Sequence, residues 1–229
     1  CLFSLNFICF YTATADIPSG LVSLVFSLAT IFNAVNSRLF FGDKIEGRAI
    51  LAGVMGIGGL VLLFGAELSV VDPVKTLRGV GFAALGTMFF SSGNMVSRRN
   101  SAAGISTLDA NSWGMLYGSV ILLIIIQASG VPIVLPTEPQ YLGALLYLAV
   151  IGSIVGFTTY LMMVARIGAS KAAYATVLFP IVALTISTFV EGYEWSLVKV
   201  CGVALALAGN AVMFSKGGLP FKAMRRSPS

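Results

Sequence analysis

The segment that decides the fold is RIGASKAAYATVLFPIVALTIS, which runs from Arg166 to Ser187. After Lys171 the chain carries no charge until Glu191. Roughly 20 mostly apolar residues are enough for a helix to cross a hydrocarbon core about 30 Å thick. The segment therefore predicts a membrane-spanning helix, with Lys171 at its mouth and Pro180 near its centre. A lysine at that place can extend along the helix until its ammonium group reaches water.

Seven further stretches have the same apolar character. The chain has 229 residues, of which 57% are hydrophobic and 10% are charged, whereas about one quarter of a soluble domain is charged. The predicted spans cover residues 1–15, 20–41, 49–66, 79–97, 111–130, 142–165, 172–190 and 196–214. The sequence thus predicts an all-α fold, a polytopic transmembrane bundle of eight helices joined by short connections.

The basic residues are unevenly distributed between the two sides of this bundle. Three of the 14 lie on one side: Lys75, Arg78 and Lys199. The others are Arg38, Lys44, Arg48, Arg98, Arg99, Arg166, Lys171, Lys216, Lys222, Arg225 and Arg226. Loops rich in Lys and Arg face the cytosol, so we expect an integral protein of the bacterial inner (plasma) membrane with a cytosolic basic tail, residues 215–229. The scattered positions of these residues argue against a nucleic-acid partner.

An internal repeat is visible when residues 157–214 are laid on residues 7–64, an offset of 150. Nine positions are identical, among them Ser37/Ser187, Gly42/Gly192 and Gly59/Gly209. One interpretation is that any two helical hairpins resemble each other. The other is a duplicated bundle, as in many carriers, in which the first three spans correspond to the last three.

The duplication predicts more helices than the eight that are visible. Because the fourth and fifth spans have no counterparts, we expect two further helices before Cys1. The whole would have ten helices in two inverted five-helix repeats. Residues 1–66 would hold the last three helices of the first repeat, residues 67–78 a linker, and residues 79–214 the complete second repeat.

Pro180 and its repeat mate Thr30 mark two matched positions near the membrane midplane. Each lies about ten residues into its span, which corresponds to about 14 Å of helix. Proline cannot donate a hydrogen bond to the carbonyl of Thr176, and threonine can bend a helix by bonding to the carbonyl four residues earlier. Such bends are either packing kinks or openings of backbone carbonyls towards a central cavity.

Polar residues recur on one face of three spans. In the fourth span, spaced i, i+4, i+7 and i+11, they are Thr87, Ser91, Asn94 and Arg98. In the second span they are Ser23, Ser27, Thr30 and Ser37, with Asn33 beside them, and in the seventh Tyr174, Thr185 and Thr188. Hydroxyls and amides are unfavourable in hydrocarbon, so we expect these faces to turn inward, either to line a cavity or to bond between helices.

These patterns select the candidate residues of a substrate pathway. They are Asn94, Ser91, Thr87, Thr30, Asn33, Ser27, Tyr11, Tyr174, Thr176 and Pro180, with Asn6, Tyr117 and Tyr160 as weaker candidates. The chain has no histidine, its cysteines lack the spacing of metal ligands, and its acidic residues lie at the ends of spans. We therefore expect no catalytic residue, no metal site and no cofactor.

Runs of small residues have a different predicted role. The stretches AGVMGIGG (52–59) and GVALALAGNAV (202–212), and the pair Gly152 and Gly156, would let helices approach closely. We expect packing faces there, at the boundary of the repeats or of a dimer, in a protein that is a monomer or a homodimer.

Two long stretches carry a resemblance to a known family. RIGASKAAYATVLFPIVALTISTFVEGYEW (166–195), followed by GVALALAGNAVMF (202–214), resembles the C-terminal part of an EamA-type permease of the drug/metabolite transporter superfamily. Residues 17–64 resemble the same part of the first repeat. The resemblance implies ten helices in two inverted repeats and a pathway lined by the first, second, fourth, sixth and seventh spans. It also implies a small-molecule substrate, such as an amino acid or a drug, that is usually exported.

The chain departs from the family pattern at two places. Thr30 stands where the family usually has a proline, which puts a symmetric pair of bends in doubt. The acidic residue after the fourth helix of the family is matched by Asp43, but its counterpart in the second repeat is displaced to Glu191 or Glu194.

Three functions are compatible with the sequence. The first, which we expect, is a secondary transporter and not an enzyme; it exports small metabolites such as amino acids or drugs by alternating access, with the small molecule and the lipid bilayer as partners. The second is a polytopic membrane enzyme, which would need acidic residues or histidines near an interface, or a sizeable loop. The third is a non-transporting membrane subunit or a truncated remnant, and the DNA upstream of the codon for Cys1 would decide that case.

Overall fold

The computed structural model describes residues 3–68, 72–130, 132–134, 137–157, 159–160 and 169–214. Throughout this part the regular secondary structure is helical. The helices are α1 (Leu5–Thr14), α2 (Ser19–Phe26), α3 (Ala29–Phe41), α4 (Gly47–Leu68), α5 (Pro73–Ala102), α6 (Thr107–Ser129), α7 (Pro139–Tyr147), α8 (Ala169–Val190) and α9 (Leu197–Phe214), with a π-helical segment (Leu148–Phe157) that continues α7. The predicted all-α fold is confirmed, and each predicted span corresponds to a helix or, for the second and sixth spans, to two consecutive helical segments.

Helix length and composition agree with a polytopic membrane bundle. Within the described residues, four segments are long and apolar enough to cross a membrane: Ser19–Phe41, Gly47–Gly65, Thr107–Ser129 and Pro139–Phe157. Shorter apolar helices cover Leu5–Thr14, Phe179–Val190 and Leu197–Met213. Helix α5 has 30 residues, or about 45 Å of length, and it carries the polar stripe of the fourth predicted span.

Helices α5 and α6 begin at well-defined caps. Asp72 precedes α5, and its side chain accepts a hydrogen bond from the backbone N–H of Val74 at 2.9 Å. Ser106 precedes α6, and its Oγ accepts from the N–H of Asp109 at 3.1 Å. Each cap satisfies a backbone donor that a helix leaves unpaired in its first turn.

The ends of α3 and α8 have the same geometry at positions 150 residues apart. Gly42 and Gly192 follow the two helices with φ of 70° and 66°, in the left-handed region that glycine adopts without a Cβ clash. In each case the residue after the glycine donates its N–H to the carbonyl of a serine six residues earlier, at 3.4 Å after α3 and 3.2 Å after α8. Both helices thus end in the same hydrogen-bonded motif.

Helices α4 and α9 pack antiparallel through contacts that only small residues allow. A Cβ on Gly59 would lie 2.5 Å from the carbonyl oxygen of Gly202, and a Cβ on Gly209 would lie 2.8 Å from that of Ala52. The two contacts correspond to each other at the 150-residue offset, because Gly59 corresponds to Gly209 and Gly202 to Ala52. Such a pair of corresponding contacts is what a two-fold axis produces. The packing prediction for the small residues of these two helices is confirmed.

The buried core surrounds α2. Leu21 and Leu24 of this helix have no exposed surface, and they belong to one apolar cluster with Leu60 and Leu63 of α4 and Leu184 of α8. Helix α2 therefore joins the α4–α9 pair to α8. Helix α6 and the α7–π segment stand away from this core: 6% of Thr107–Ser129 and none of Pro139–Phe157 is buried.

The second predicted span does not bend where the sequence suggested. The helix breaks between α2 and α3 at Ser27 and Leu28, before Thr30 is reached. Thr30 Oγ1 donates to the carbonyl of Ser27, three residues earlier rather than four, at 3.3 Å. The backbone is tightened in the same way, because Leu28 N–H donates to Val25 O and Ile31 N–H to Leu28 O. Local bonding over three residues, and not a threonine bend, makes the break.

The packing prediction is wrong for Gly152 and Gly156 within the described part of the chain. A Cβ on Gly152 would approach only Leu148 of its own segment, at 3.9 Å, and a Cβ on Gly156 would approach the carbonyl of Ile151. No neighbouring described helix lies against this glycine pair. The segment is also wound as a π-helix from Leu148 onward, so four-residue spacing does not set its face as it would in an α-helix.

Candidate functional site

A cavity of about 250 Å³ lies between α5, α6 and the π-helical segment. Its polar lining consists of Asn94, Ser97, Asn100, Thr107, Asn111, Tyr117 and Tyr160. Its apolar lining includes Phe3, Phe90, Phe157 and Ile121. Because three asparagines line it, we name it the amide cavity. None of the described residues that line it is acidic or basic, so hydrogen bonding and apolar contact are the interactions that it offers a ligand.

Of the ten main candidate residues, Asn94 lines this cavity, together with the weaker candidates Tyr117 and Tyr160. Asn94 lies on α5, half-buried, and its Nδ2 donates to Oδ1 of Asn33 on α3 at 3.3 Å. The contact brings together two members of the predicted pathway from different helices. Asn94 also lines the cavity while its own oxygen stays available to a ligand.

Ser91 and Thr87 lie on the same face of α5 but deeper in the bundle. Both have no exposed surface. Oγ of Ser91 accepts a hydrogen bond from Nδ2 of Asn36 on α3 at 2.8 Å, whereas Thr87 Oγ1 donates to the carbonyl of Ala83 in its own helix at 2.7 Å. The structure therefore places Ser91 in a contact between helices and Thr87 against its own backbone, and neither lines the amide cavity.

Thr30 and Ser27 lie on the opposite side of α2 and α3, away from that cavity. Thr30 Oγ1 is 3.2 Å from Oδ1 of Asn210 on α9, and Ser27 Oγ donates to the carbonyl of Leu24 at 2.6 Å. Ser27 thus lies at the break in the second span, and Thr30 lies against α9.

The remaining predicted residues are dispersed. Tyr11 is 64% exposed and stacks on Phe7 with ring centroids 6.4 Å apart. Pro180 lies inside α8 and is buried. Tyr174 and Thr176 also fall in α8, but their side chains lie outside the described part of the chain.

A second cavity, of about 300 Å³, adjoins the first through three shared residues. The shared residues are Phe90, Phe157 and Tyr160. The rest of its lining is Asn6, Phe7, Phe10, Phe26, Gly152, Gly156 and Phe179. Because rings dominate the lining, we name it the aromatic cavity.

At one end of the bundle, α3 and α5 are joined by an ion pair. Arg98 Nη1 donates to Oδ2 of Asp43 at 2.5 Å and to Ser37 Oγ at 3.2 Å, and its guanidinium lies 4.2 Å from the centre of the Phe41 ring. The hydrogen bond from Arg98 lowers the pKa of the Asp43 carboxyl, against a smaller effect of desolvation. Arg98 belongs to the polar stripe of α5, and the structure places it in this connection between helices.

The opposite end is joined by different groups. Oε2 of Glu191, just after α8, accepts from Ser187 Oγ at 2.5 Å and from the backbone N–H of Ser19 at the start of α2 at 3.0 Å. Desolvation would raise the pKa of Glu191, but the hydrogen bonds from Ser187 and Ser19 together outweigh it and lower the pKa. Nearby, Arg78 Nε donates to Asp16 at 2.8 Å.

Several polar residues of these contacts were absent from the predicted set. Asn36, Asn100, Asn111 and Asn210 are the clearest. Asn36 follows Asn33 by one helical turn, and that spacing is a signal the sequence did contain. Asn100 and Asn111 lie near helix ends, where polar residues are common and carry little information. In the described residues no group of three His, Cys, Asp or Glu side chains is arranged to hold a metal ion.

Comparison with known proteins gives several matches, and two of the following three relatives are named as transporters. Protein PecM of Dickeya dadantii is 27% identical over 159 residues, which is 66% of this chain and 50% of that protein. The uncharacterized inner membrane transporter YedA of Escherichia coli K12 is 26% identical over 200 residues, 84% of this chain and 62% of its own. The uncharacterized transporter YyaM of Bacillus subtilis is 24% identical over 194 residues, 82% and 61%. The chain thus spans about half to three fifths of the length of these relatives.

The fold and the family are supported by two further comparisons. A protein of known crystal structure, 20% identical, superposes with a TM-score of 0.59 over 91% of this chain and 71% of its own, which concerns the fold alone. The model of the EamA-like transporter family matches residues 1–65 and 77–215, nearly the whole chain. Together with its apolar spanning helices, this match establishes that the chain is an integral membrane protein that belongs to the EamA-like transporter family.

Proposed function

We propose that the protein is a secondary transporter that moves small metabolites, such as amino acids or drugs, across the inner membrane by alternating access. The observation that carries the proposal is the amide cavity, in which the pathway residue Asn94 meets hydroxyls and amides of α6 inside a chain of the transporter family. A pocket with a few convergent polar groups and aromatic walls is the usual form of a small-molecule site.

The uncharged lining favours substrates with hydrogen-bonding groups and little net charge. Asn94, Asn100 and Asn111 each offer both a donor and an acceptor. Because no described carboxylate or basic group lines the cavity, a substrate with a net charge would be desolvated without a counter-ion. Neutral metabolites avoid that cost, and in zwitterionic metabolites the attraction between the two charges offsets part of it.

Two structural features support alternating access. The α4–α9 contact and the ends of α3 and α8 repeat at the same offset of 150 residues, as the halves of an inverted-repeat carrier would. The two ends of the bundle are also joined by separate groups, Asp43 with Arg98 at one end and Glu191 with Ser19 at the other. Separate contacts at the two ends support the proposal, because alternating access requires each end to open while the other stays closed.

We further propose that the amide cavity faces the cytosol and that the direction is export. Asn100 and Thr107 of the cavity lie beside the α5–α6 connection, on the side where most Lys and Arg residues lie, and the positive-inside rule assigns that side to the cytosol. A cytosolic cavity is where an exporter would load its substrate. The C-terminus would lie on the same side.

The test is counterflow in proteoliposomes that hold the purified full chain, with a panel of radiolabelled amino acids and the dye ethidium. We expect at least one compound to be transported, and Asn94→Ala to lower its rate about tenfold, because one hydrogen bond to the substrate is lost. Pro180→Ala should also lower the rate without lowering the yield of folded protein.

The matched control is Ser92→Ala on the same helix. Ser92 Oγ donates to the carbonyl of Met88 at 2.9 Å and does not line the cavity, so transport should be retained. Equal rates in wild type and Asn94→Ala would contradict the site, and an unchanged rate in Pro180→Ala would remove Pro180 from the pathway. Transport of no compound in the panel, with product formation in an enzymatic assay, would favour the membrane-enzyme alternative.

A further inference from the structure

The aromatic cavity contains a buried polar atom that the proposed pathway does not use. Asn6 of α1 is 2% exposed, and its Oδ1 has no hydrogen-bond partner among the described residues. Withdrawal of an amide oxygen from water without a partner is unfavourable. Because Asn6 lines the cavity, a ligand bound there could supply the missing donor.

The walls around Asn6 are rings in edge-to-face contact. The Phe10 and Phe26 rings are 5.6 Å apart at 87°, and the Phe26 and Phe90 rings are 4.8 Å apart at 71°. On the other side of the cavity, Gly152 of the π-helical segment leaves room, since a Cβ there would come no closer than 3.9 Å to another described side chain. Such walls suit a flat ring, which can add a further offset or edge-to-face contact.

We infer that the aromatic cavity is a subsite for an uncharged aromatic group that carries one N–H or O–H, which donates to Oδ1 of Asn6. The inference rests on the proposed transport function, because the aromatic and amide cavities share Phe90, Phe157 and Tyr160. One substrate can then span both cavities, with its ring beside Asn6 and its polar end beside Asn94. Aromatic metabolites with an indole or phenol group have this form.

A quaternary cation is the competing occupant. Aromatic faces attract such cations, but a quaternary cation has no hydrogen to donate to Asn6. The described lining of the aromatic cavity also contains no carboxylate to balance its charge. Tetraphenylphosphonium is therefore expected to bind more weakly than an uncharged indole.

The experiment measures the dissociation constants of indole acetamide and of its analogue methylated at the ring nitrogen, for the purified full chain in nanodiscs. The two probes differ only at the ring nitrogen, which carries a hydrogen in the first and a methyl group in the second. Wild type should bind indole acetamide about tenfold more tightly, the usual order of discrimination when a site group is left unpaired. Asn6→Leu should reduce the ratio of the two constants to about one.

Two variants separate recognition from folding. Asn6→Leu removes an unpaired polar group from a buried place, so its thermal unfolding midpoint should equal or exceed that of wild type. Ser4→Ala is the matched control, since Ser4 has no exposed surface, its Oγ also has no partner among the described residues, and it does not line the cavity. Ser4→Ala should keep the tenfold preference.

The inference is overturned if wild type does not distinguish the two probes, if neither binds saturably, if Asn6→Leu keeps the preference, or if tetraphenylphosphonium binds more tightly than indole acetamide. If Asn6→Leu fails to fold, Gly152→Val provides the second test. Its side chain would enter the cavity, so the affinity for indole acetamide should fall about tenfold, and unchanged affinity would overturn the inference. Binding is measured without transport, so a protein that discriminates the probes but moves no substrate would refute the proposed function and leave the subsite standing.

Discussion

The α4–α9 pair and the region of α6 and the π-helical segment are made of similarly apolar residues but pack in opposite ways. Of the apolar window Gly47–Gly65 in α4, 44% is buried, against 6% of Thr107–Ser129 and none of Pro139–Phe157. In the first region glycines bring two backbones into contact. In the second, Gly152 lies beside the aromatic cavity, and among the described atoms a Cβ there would approach only Leu148, at 3.9 Å.

The difference shows that small residues in a membrane helix have two distinct uses. Where two small-residue faces meet, as at Gly59 and Gly202, they exclude everything but backbone. Where a single small residue faces rings, as Gly152 does, it leaves space for a ligand-sized cavity. A GxxxG pattern alone does not distinguish these cases, because the outcome depends on the partner helix.

The largest expected effect comes from breaking the tight region. Gly59→Ala places a Cβ 2.5 Å from the carbonyl oxygen of Gly202, so α4 and α9 must separate, at a cost of about 3 kcal/mol of unfolding free energy. We expect little folded protein after extraction in detergent, measured by size-exclusion chromatography and thermal unfolding. Gly209→Ala should act in the same direction, since its Cβ would lie 2.8 Å from the carbonyl oxygen of Ala52.

Gly58→Ala is the control on the same helix. Its Cβ would lie 3.6 Å from Leu205 Cδ2, an ordinary contact, and alanine favours helix over glycine by about 1 kcal/mol. Gly58→Ala should therefore equal or exceed the stability of wild type. Similar losses for Gly58→Ala and Gly59→Ala would show that α4 and α9 are not in backbone contact.

A smaller effect is expected from the buried contact beside the amide cavity. Ser91→Ala removes the acceptor of the Asn36 Nδ2 hydrogen bond, 2.8 Å long, and leaves a buried amide N–H unpaired. The expected loss is about 1 kcal/mol of unfolding free energy, measured as a lower thermal midpoint. Ser92→Ala should leave the midpoint unchanged, and an equal shift in both variants would contradict the assignment of this hydrogen bond.

The smallest expected effect concerns the exposed ion pair of Asp43 and Arg98. Because Arg98 lowers the pKa of the folded-state Asp43 below its ordinary 3.8, the pair stabilises the fold above that value, and its contribution is lost as the pH falls through the lowered pKa. Asp43→Asn should therefore lower the thermal midpoint slightly at pH 7, and the difference from wild type should shrink below pH 3.8.

The control for this titration is Glu46→Gln. Glu46, in the loop before α4, pairs with Arg48 in the first turn of α4. It therefore does not connect α3 to α5. Its replacement should thus change the midpoint at pH 7 less than Asp43→Asn does. Equal losses in the two variants would show that net charge, and not the connection between helices, sets the effect.

The sequence predicted most of the helices and the packing of α4 with α9, because hydropathy and small-residue runs are local properties. It also selected Asn94 and Asn33, since a polar side chain on an apolar helix has few favourable places to lie. The burial of Ser91 and Thr87 follows from the same argument. The offset of 150 residues between the ends of α3 and α8 was visible in the glycines at positions 42 and 192.

The rest depends on partners that a single helix does not specify. Whether a hydroxyl bonds to its own backbone, as in Thr87, or to another helix, as in Ser91, is decided by what lies opposite. The break at Ser27 depends on backbone bonding rather than on the residue type at Thr30. The π-helical winding after Tyr147 has no signal in the hydrophobic pattern.

Cysteine labelling tests most directly the claim that the loosely packed region, and not the core, holds the pathway. In a chain with Cys1, Cys9 and Cys201 replaced by alanine, Asn94→Cys and Thr87→Cys are treated with a membrane-impermeant methanethiosulfonate in inverted vesicles. Thiols react as thiolates in contact with water, so Asn94→Cys should react about tenfold faster than the fully buried Thr87→Cys. Equal rates at the two positions, or no reaction at Asn94→Cys, would contradict the account.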